Sequence, residues 1–276
     1  MSDFITARHA NLASLASVAT GAILLTVASP LLAGPGPIAN TAFDEYAQQV
    51  EGRLVIEHRA ATTFLVVNTG DEEARLRHGE MVVERLTPSK EIPDAMLNDW
   101  RGTAFVSGAT VADFERVMRD LDAYTKTFAP EVLRSQMLSA SGDGMRTRMR
   151  VRQHHVITVV MDTDYDVRFG RLDSRHGDCA STSTRIAEID SPGTAKEREL
   201  SSGEEHGFLW RLNSYWSYEE RDGGLYMQIE AISLTRAVPH GLGWVVGPYV
   251  DSIPRESLEF TLQAMRTALS RPHGKV

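Results

Sequence analysis

The sequence predicts an α+β fold in which a series of antiparallel strands is followed by a long C-terminal helix. Two patterns indicate it. Apolar and polar residues alternate in successive runs between residues 133 and 236, and apolar residues recur at helical spacing after Pro254. A run of strands followed by a helix is typical of an α+β domain. With 276 residues, 42% of them apolar, the chain is long enough to bury a substantial core.

Composition excludes several classes of function. The chain has 29 Lys and Arg against 37 Asp and Glu, a net charge of -8. An acidic chain gains no affinity for a phosphate backbone, so we expect no nucleic-acid partner. The single cysteine, Cys179, excludes an internal disulfide and a cysteine-rich zinc site. Phosphate-binding, serine-hydrolase and metalloprotease motifs do not occur, and we predict no metal, no cofactor and no catalytic residue.

Residues 1–33 are predicted to be a secretory signal peptide. Asp3 and Arg8 are their only formal charges, residues 10–33 carry none, and the most apolar stretch is 21–28. A polar start, an apolar centre and small residues near Ala33 are typical of an export signal. The protein is therefore expected to be exported, to the periplasm. The alternative is an anchor in the inner membrane through residues 10–33, because that run is long enough to span a bilayer.

Residues 34–95 are predicted to form an N-terminal appendage that caps or extends the sheet. The sequence Thr41-Ala42-Phe43-Asp44 resembles a capping box and predicts a short helix at 42–53. Strands are expected at 63–67 and 74–86, because turn-forming residues separate these two runs.

Residues 96–272 are predicted to form the main domain. It starts with a strand at 101–106, a helix at 111–124 and a short helix at 125–128. Tight turns at Ser141–Gly144 and Asp222–Gly224 divide much of the rest into hairpins. The expected later strands are 133–139, 145–153, 156–172, 178–189, 207–220 and 224–236, and the last helix is 254–270.

Alternation assigns residues to the two faces of the sheet. Trp210, Leu212 and Trp216 fall on one face, while the neighbouring strand at 179–184 is small and mildly polar. Small residues opposite bulky ones can leave space for a ligand. On the outer face, arginines of strand 145–153 oppose aspartates of strand 156–172, and a turn at 153–155 would place Arg146 opposite Asp162.

Three phrases carry a resemblance to a known family: residues 207–216 (GFLWRLNSYW), 232–239 (ISLTRAVP) and 253–258 (IPRESL). They are similar to an uncharacterised exported bacterial branch of the START-like superfamily, also called helix-grip or SRPBCC. The resemblance covers residues 100–269. It implies a curved antiparallel sheet wrapped around the long C-terminal helix, with a pocket between the concave face of the sheet and that helix. It implies no particular reaction.

The residues expected to line that pocket are mostly apolar, with one possible ion pair. Glu230 needs a partner if it faces inward, and Arg211 on the adjacent strand is the natural candidate. An ion pair on the outer face is the structural alternative. The loop 238–249 is expected to act as a gate or to touch a membrane transiently. The candidate ligand-binding residues are Trp210, Leu212, Trp216, Tyr165, Val167, Met227, Ile229, Glu230, Arg211, Leu258, Leu262 and Met265.

These observations favour non-enzymatic binding or transport of an apolar small molecule or lipid in the cell envelope. Two other functions stay open. A cyclase- or aromatase-like enzyme of the same superfamily would need two or more titratable groups that converge in the pocket. An interaction module would have a filled interior and no cavity.

Overall fold

The computed structural model describes residues 34–67, 70–86, 92–154, 158–237 and 243–270, except for the side chains of residues 243–251. The predicted export signal or anchor at residues 1–33 lies outside the described residues. Among the helices that are described, none combines the length and the apolar character that crossing a membrane requires.

One antiparallel sheet forms the body of the protein, in the order β1-β2-β9-β8-β6-β5-β4-β3, with β7 paired to β6. The sheet is open, since its order runs from one edge strand to the other. The six strands predicted between residues 133 and 236 are confirmed, with ends that differ by a few residues. The strands are β1 (Val82–Arg85), β2 (Ala95–Ser107), β3 (Val132–Ser141), β4 (Gly144–His154), β5 (Thr158–Arg171), β6 (His176–Asp190), β7 (Arg198–Glu199), β8 (Arg211–Arg221) and β9 (Gly224–Arg236).

Five α-helices and two 3₁₀ turns complete the described chain. The predicted helix 111–124 stops early, because Asp120 leaves helical geometry with a ψ of 73°. The helices are α1 (Pro37–Glu57), α2 (Gly70–Arg77), α3 (Val111–Arg119), α4 (Tyr124–Thr127) and α5 (Gly243–Leu269), and the turns are Ala61–Thr63 and Leu121–Ala123.

The N-terminal part differs most from the prediction. Helix α1 begins at Pro37 rather than at residue 42, because proline suits the first helical position. The predicted strand 63–67 is wrong, since a 3₁₀ turn and irregular chain occupy this stretch. The predicted strand 74–86 is helix α2 followed by β1. Three acidic residues in the first turn of α2 and two arginines in its last complement the helix dipole, which favours a helix.

Helix α5 confirms the predicted long C-terminal helix, but it starts at Gly243 rather than at residue 254. The predicted loop 238–249 is therefore helical from Gly243 onward, and residues 238–242 lie outside the described chain. Helix α5 packs mainly on β2, and also on β1, β9, α3 and α4. Gly102 of β2 makes this approach possible, because a Cβ there would lie 2.5 Å from Cδ1 of Leu262.

The inner face of the sheet, which α5 covers, carries the main hydrophobic core. The helix contributes Leu258, Leu262, Met265 and Leu269, and α3 contributes Phe114. A sheet with one face packed on a C-terminal helix is the predicted α+β helix-grip architecture.

The outer face is covered in part by α1. Ala39, Phe43, Ala47 and Val50 of this helix form a second cluster with the outward side chains of β8 and β9, among them Ile232. The strands β2, β8 and β9 are therefore packed on both faces.

The outer face of β4 and β5 carries the expected ladder of opposite charges, in a different register. Arg146 pairs with Asp166 rather than with Asp162, and Arg150 pairs with Asp162. Strand β4 runs through His154, beyond the turn that the sequence predicted at 153–155. His154 pairs with Thr158, and the register therefore differs from the predicted one by four residues.

Candidate functional site

Most of the predicted ligand-binding residues lie together on the inner face. Alternation along β8 and β9 brings Trp216 and Met227 to the same core as the apolar stripe of α5. All of these side chains are buried except Leu212, which is half-buried. The inner-face set is Leu212, Trp216, Tyr165, Val167, Met227, Ile229, Leu258, Leu262 and Met265.

Trp210, Arg211 and Glu230 do not belong to this inner set. Trp210 precedes β8 and packs with the α1 cluster on the outer side. Arg211 donates to Asn40 and Asp44 of α1. The predicted pair of Arg211 with Glu230 is wrong, because these residues lie four positions apart in the ladder of β8 and β9.

A row of small side chains crosses the middle of the inner face. Ser181 of β6, Ser214 of β8 and Ala231 of β9 are direct cross-strand neighbours. All three are half-buried, although Trp216 beside them is buried to 3% exposure. A short side chain at the centre of a covered sheet keeps solvent-accessible surface only where no neighbour fills the space above it. From this partial exposure we infer an unfilled space above the row on the inner face, which we call the inner hollow.

Polar groups in and beside the inner hollow are available to a ligand. The hydroxyl groups of Ser181 and Ser214 have no hydrogen-bond partner within the described residues. Trp100 continues the row on β2, but its indole N–H is fully buried and does not open onto this space, and it has no partner within the described residues. The sequence drew attention to the small strand 179–184 but not to these residues, because the space depends on the strand order β6-β8-β9-β2.

The edge of the inner face beyond β5 is also incompletely covered. Met149 and Val151 of β4 are half-buried, and Met137 of β3 is 42% exposed. These residues face inward, since Met149 packs against the main core. The amide of Gln153 lies 3.4 Å from the hydroxyl of Ser257, so this end of β4 approaches α5.

A buried polar network holds α1 on the outer face. Arg53 donates to Glu230 at 2.5 Å, and Tyr46 donates to Asp99 at 2.7 Å. Glu230 and Asp99 are only 3% and 1% exposed. Burial, together with the nearby charge of Glu230, raises the pKa of Asp99 from 3.8 to about 7. Glu230 is thus part of the outer structural contact, with Arg53 as its partner.

One group of residues has the composition of a catalytic triad without its geometry. Nε2 of His58 lies 2.7 Å from the hydroxyl of Ser217, but its Nδ1 is 3.9 Å from Asp178, too far for a hydrogen bond. Burial lowers the pKa of His58 to about 4, which makes it a weak base at neutral pH. Ser217 is only 4% exposed. The arrangement docks the end of α1 rather than activating a nucleophile.

A groove of about 580 Å³ lies on the outer face, between the end of α1 and strands β3 to β8. Its floor contains outward-facing small residues such as Ala180 and Thr182. Leu54, Val55 and His58 line it on the α1 side, and Arg146 and Arg168 line it on the opposite side. We call it the outer groove, and it lies on the face opposite to the predicted pocket.

The described residues offer no metal centre, since no three His, Cys, Asp or Glu side chains among them are placed to hold an ion. The thiol of Cys179 is 1% exposed, and burial raises its pKa. A thiol that stays protonated at neutral pH is a poor nucleophile.

No protein-family model and no curated protein matches the chain. Solved structures do resemble it. The STAR-related lipid transfer protein from Xanthomonas axonopodis shares 16% identity at a TM-score of 0.42, over 68% of this chain and 99% of that one.

Human STARD10 shares 7% identity at a TM-score of 0.41, over 73% of this chain and 81% of that one. The Zhui aromatase/cyclase from Streptomyces sp. R1128 shares 13% identity at a TM-score of 0.41, over 66% of this chain and 100% of that one. The likeness to START-superfamily structures is one of fold, and it is distant. The resemblance to the superfamily is confirmed at the level of fold, which carries no information about ligand or reaction, and the exported bacterial branch stays a prediction.

Proposed function

We propose that this protein binds an apolar small molecule or lipid in the inner hollow between the sheet and α5, and that it catalyses no reaction on this ligand. The observation that carries the proposal is the incomplete burial of Ser181, Ser214 and Ala231 in the middle of a covered sheet. Concave apolar spaces with a few polar groups are the usual sites for small molecules.

The composition of the inner hollow favours a mostly apolar ligand with one or two hydrogen-bonding groups. Trp216, Leu212 and Trp100 supply apolar walls along the row. The two serine hydroxyls supply the polar contacts. A ligand group that hydrogen-bonds to these hydroxyls replaces the water that would otherwise bind them.

The absence of acid and base groups in the row favours binding over catalysis. The row contains no side chain that titrates near neutral pH; its members are Ser181, Ser214, Ala231 and Trp100. Among the described residues, no hydrogen bond or ion pair brings such a side chain to them. An aromatase-like or cyclase-like reaction needs converging titratable groups. The hollow itself argues against a filled interaction module.

The cell-envelope location is a further part of the proposal, and it depends on the signal-like residues 1–33. Fractionation of the native host, with detection of the chain in periplasm and membrane fractions, tests it. A protein found only in the cytoplasm would contradict it.

The binding proposal is tested by filling the inner hollow. Ser181→Phe places a ring on the inner face, whereas Ala180→Phe places the same ring on the outer face of the same strand. The probe is N-phenyl-1-naphthylamine, a neutral apolar fluorophore. We expect Ser181→Phe to weaken its binding by about tenfold or more, equivalent to about 1.4 kcal/mol, and Ala180→Phe to leave it within about twofold.

Native mass spectrometry of protein purified from its own host identifies the ligand class independently. We expect a bound species that extracts into organic solvent and is missing from Ser181→Phe. Equal probe affinities of the two variants, or a clean apo mass together with no probe binding by the wild-type protein, would reject the proposal.

A further inference from the structure

The outer groove is bounded by three different surfaces. The small residues Ala180 and Thr182 form its floor, Leu54 and Val55 of α1 form an apolar side, and the outer face of β3 to β5 forms a polar side. The register places Ser141, Gly144, Arg168, Ala180 and Tyr215 in one continuous cross-strand row.

The polar side of the groove concentrates hydrogen-bond donors. Arg168 is exposed, and it has no ion pair within the described residues. Arg146 lies diagonally beside it, two positions along β4 from Gly144, the residue opposite Arg168. Ser139 and Ser141 of β3 are exposed beside these arginines, and their hydroxyls have no partner in the described chain. The guanidinium group of Arg168, that of Arg146, which also pairs with Asp166, and the two hydroxyls form a set that suits a carboxylate or phosphate.

The carboxylates of the groove either interact with other side chains or lie away from Arg168. Asp166 is paired with Arg146 at 2.8 Å, whereas Arg168 has no ion pair among the residues that the structure describes. Glu51 accepts a hydrogen bond from Tyr215 at 2.9 Å. Asp178 lies toward His58, and burial raises its pKa, so its charge is weakened. Negative potential is therefore greater near α1, and the positive end lies over β4 and β5.

The apolar side suits a hydrocarbon chain. Val55 of α1 is 58% exposed above the groove, and Leu54 beside it is half-buried. The five strands from β3 to β8 span roughly 19 Å at about 4.8 Å per strand, which is long enough for a medium-length chain with its head group.

We propose that the outer groove is a second binding site, separate from the inner hollow, for an anionic amphipath. Its carboxylate or phosphate head lies between Arg146 and Arg168, with the hydroxyls of Ser139 and Ser141, and its chain crosses Ala180 toward Leu54 and Val55. The same chemistry is present in a free fatty acid and in the head-group region of an anionic membrane.

Calorimetric titration with dodecanoate, below its micelle concentration, tests this site. Arg168→Gln removes a free surface cation without touching the core, and we expect it to weaken dodecanoate binding by about tenfold. Ala180→Phe fills the floor and should abolish binding. Ser181→Phe, on the inner face of the same strand, should bind dodecanoate as the wild-type protein does. Dodecanol, which lacks the charge, should bind at least about tenfold more weakly than dodecanoate.

Other outcomes overturn the proposal. The wild-type protein could fail to bind dodecanoate, or Arg168→Gln could bind it unchanged. Loss of binding in Ser181→Phe alone would assign dodecanoate to the inner hollow. Co-sedimentation with phosphatidylglycerol vesicles, without binding of monomeric dodecanoate, would mean a membrane-surface contact instead of a groove site. Failure of N-phenyl-1-naphthylamine to bind would contradict the proposal for the inner hollow but would leave the dodecanoate results unaffected. The two proposals are therefore tested separately.

Discussion

Replacing Arg53 with alanine should destabilise the protein far more than the loss of an ordinary surface arginine. Arg53 of α1 is the ion-pair partner of Glu230, whose side chain is only 3% exposed and lies next to the equally buried Asp99. Without the guanidinium group, a buried carboxylate is left beside a second one, and both must lose charge or regain water.

The size of the effect follows from the burial of the two partners. Breaking a buried ion pair from one side costs about 3–5 kcal/mol. The side chain of Arg53 is itself 35% exposed, so solvent screens part of the interaction. We therefore expect about 3 kcal/mol for Arg53→Ala, at the lower end of that range. Arg75→Ala is the matched control, because Arg75 and Glu80 are 56% and 53% exposed, and such pairs contribute about 0–1 kcal/mol.

Urea unfolding at neutral pH measures these free energies. The double variant Arg53→Ala with Glu230→Gln should recover much of the loss, because a neutral amide costs less to bury than a carboxylate. If Arg53→Ala cost no more than Arg75→Ala, or if Glu230→Gln gave no recovery, the buried pair would not be what fastens α1 to the sheet.

Two further predictions concern stability. The pKa of Asp99 is raised by burial first and by Glu230 second, while the hydrogen bond from Tyr46 and the charges of Arg53 and Arg101 oppose the rise. The stabilising contribution of Asp99 is therefore complete below pH 3.8 and is lost as pH rises toward about 7. Asp99→Asn should therefore gain stability relative to the wild-type protein at pH 8 but not at pH 4, by urea unfolding at both; an equal difference at the two pH values would contradict this. Leu262→Ala, at a fully buried position of α5, should cost about 2–5 kcal/mol by the same assay, and a cost below about 1 kcal/mol would mean that α5 is loosely packed there.

The strands of the main domain were predictable because their apolar residues alternate with polar ones. Strands β4 and β5 carry arginines and aspartates on one face and apolar residues on the other, which is the pattern of a sheet covered mainly on one side. The stripe from Leu258 to Leu269 was equally clear as a helix. Local pattern was sufficient wherever one face meets the core and the other meets water.

The N-terminal part was less predictable, because its local pattern is ambiguous. The stretch 74–86 contains a charged helix and a short strand, and neither is long enough to show a clear period. Helix α1 packs on a face of β8 and β9 that already carries alternating residues. The sequence of those strands could not show that their outer face is also covered.

The predictions for individual site residues were wrong where a residue lies just outside a strand, or where the strand register decides which residues are in contact. Trp210 follows the alternation of β8, but it precedes the first residue of the strand and lies on the other side. Glu230 is buried and ion-paired, but its partner is Arg53, which is 177 positions away in the sequence. The inner hollow combines small residues from three strands, and only the assembled order of the sheet brings them together.

The irregular pairing of β3 affects how the protein behaves at high concentration. This strand forms one edge of the sheet, and its register with β4 shifts between Val132 and Arg134 and again between Met137 and Ser139. An edge with two interruptions offers a neighbouring molecule only short regular stretches to hydrogen-bond with. Leu133 and Met137 can thus stay exposed there without making the protein prone to polymerise through its strands.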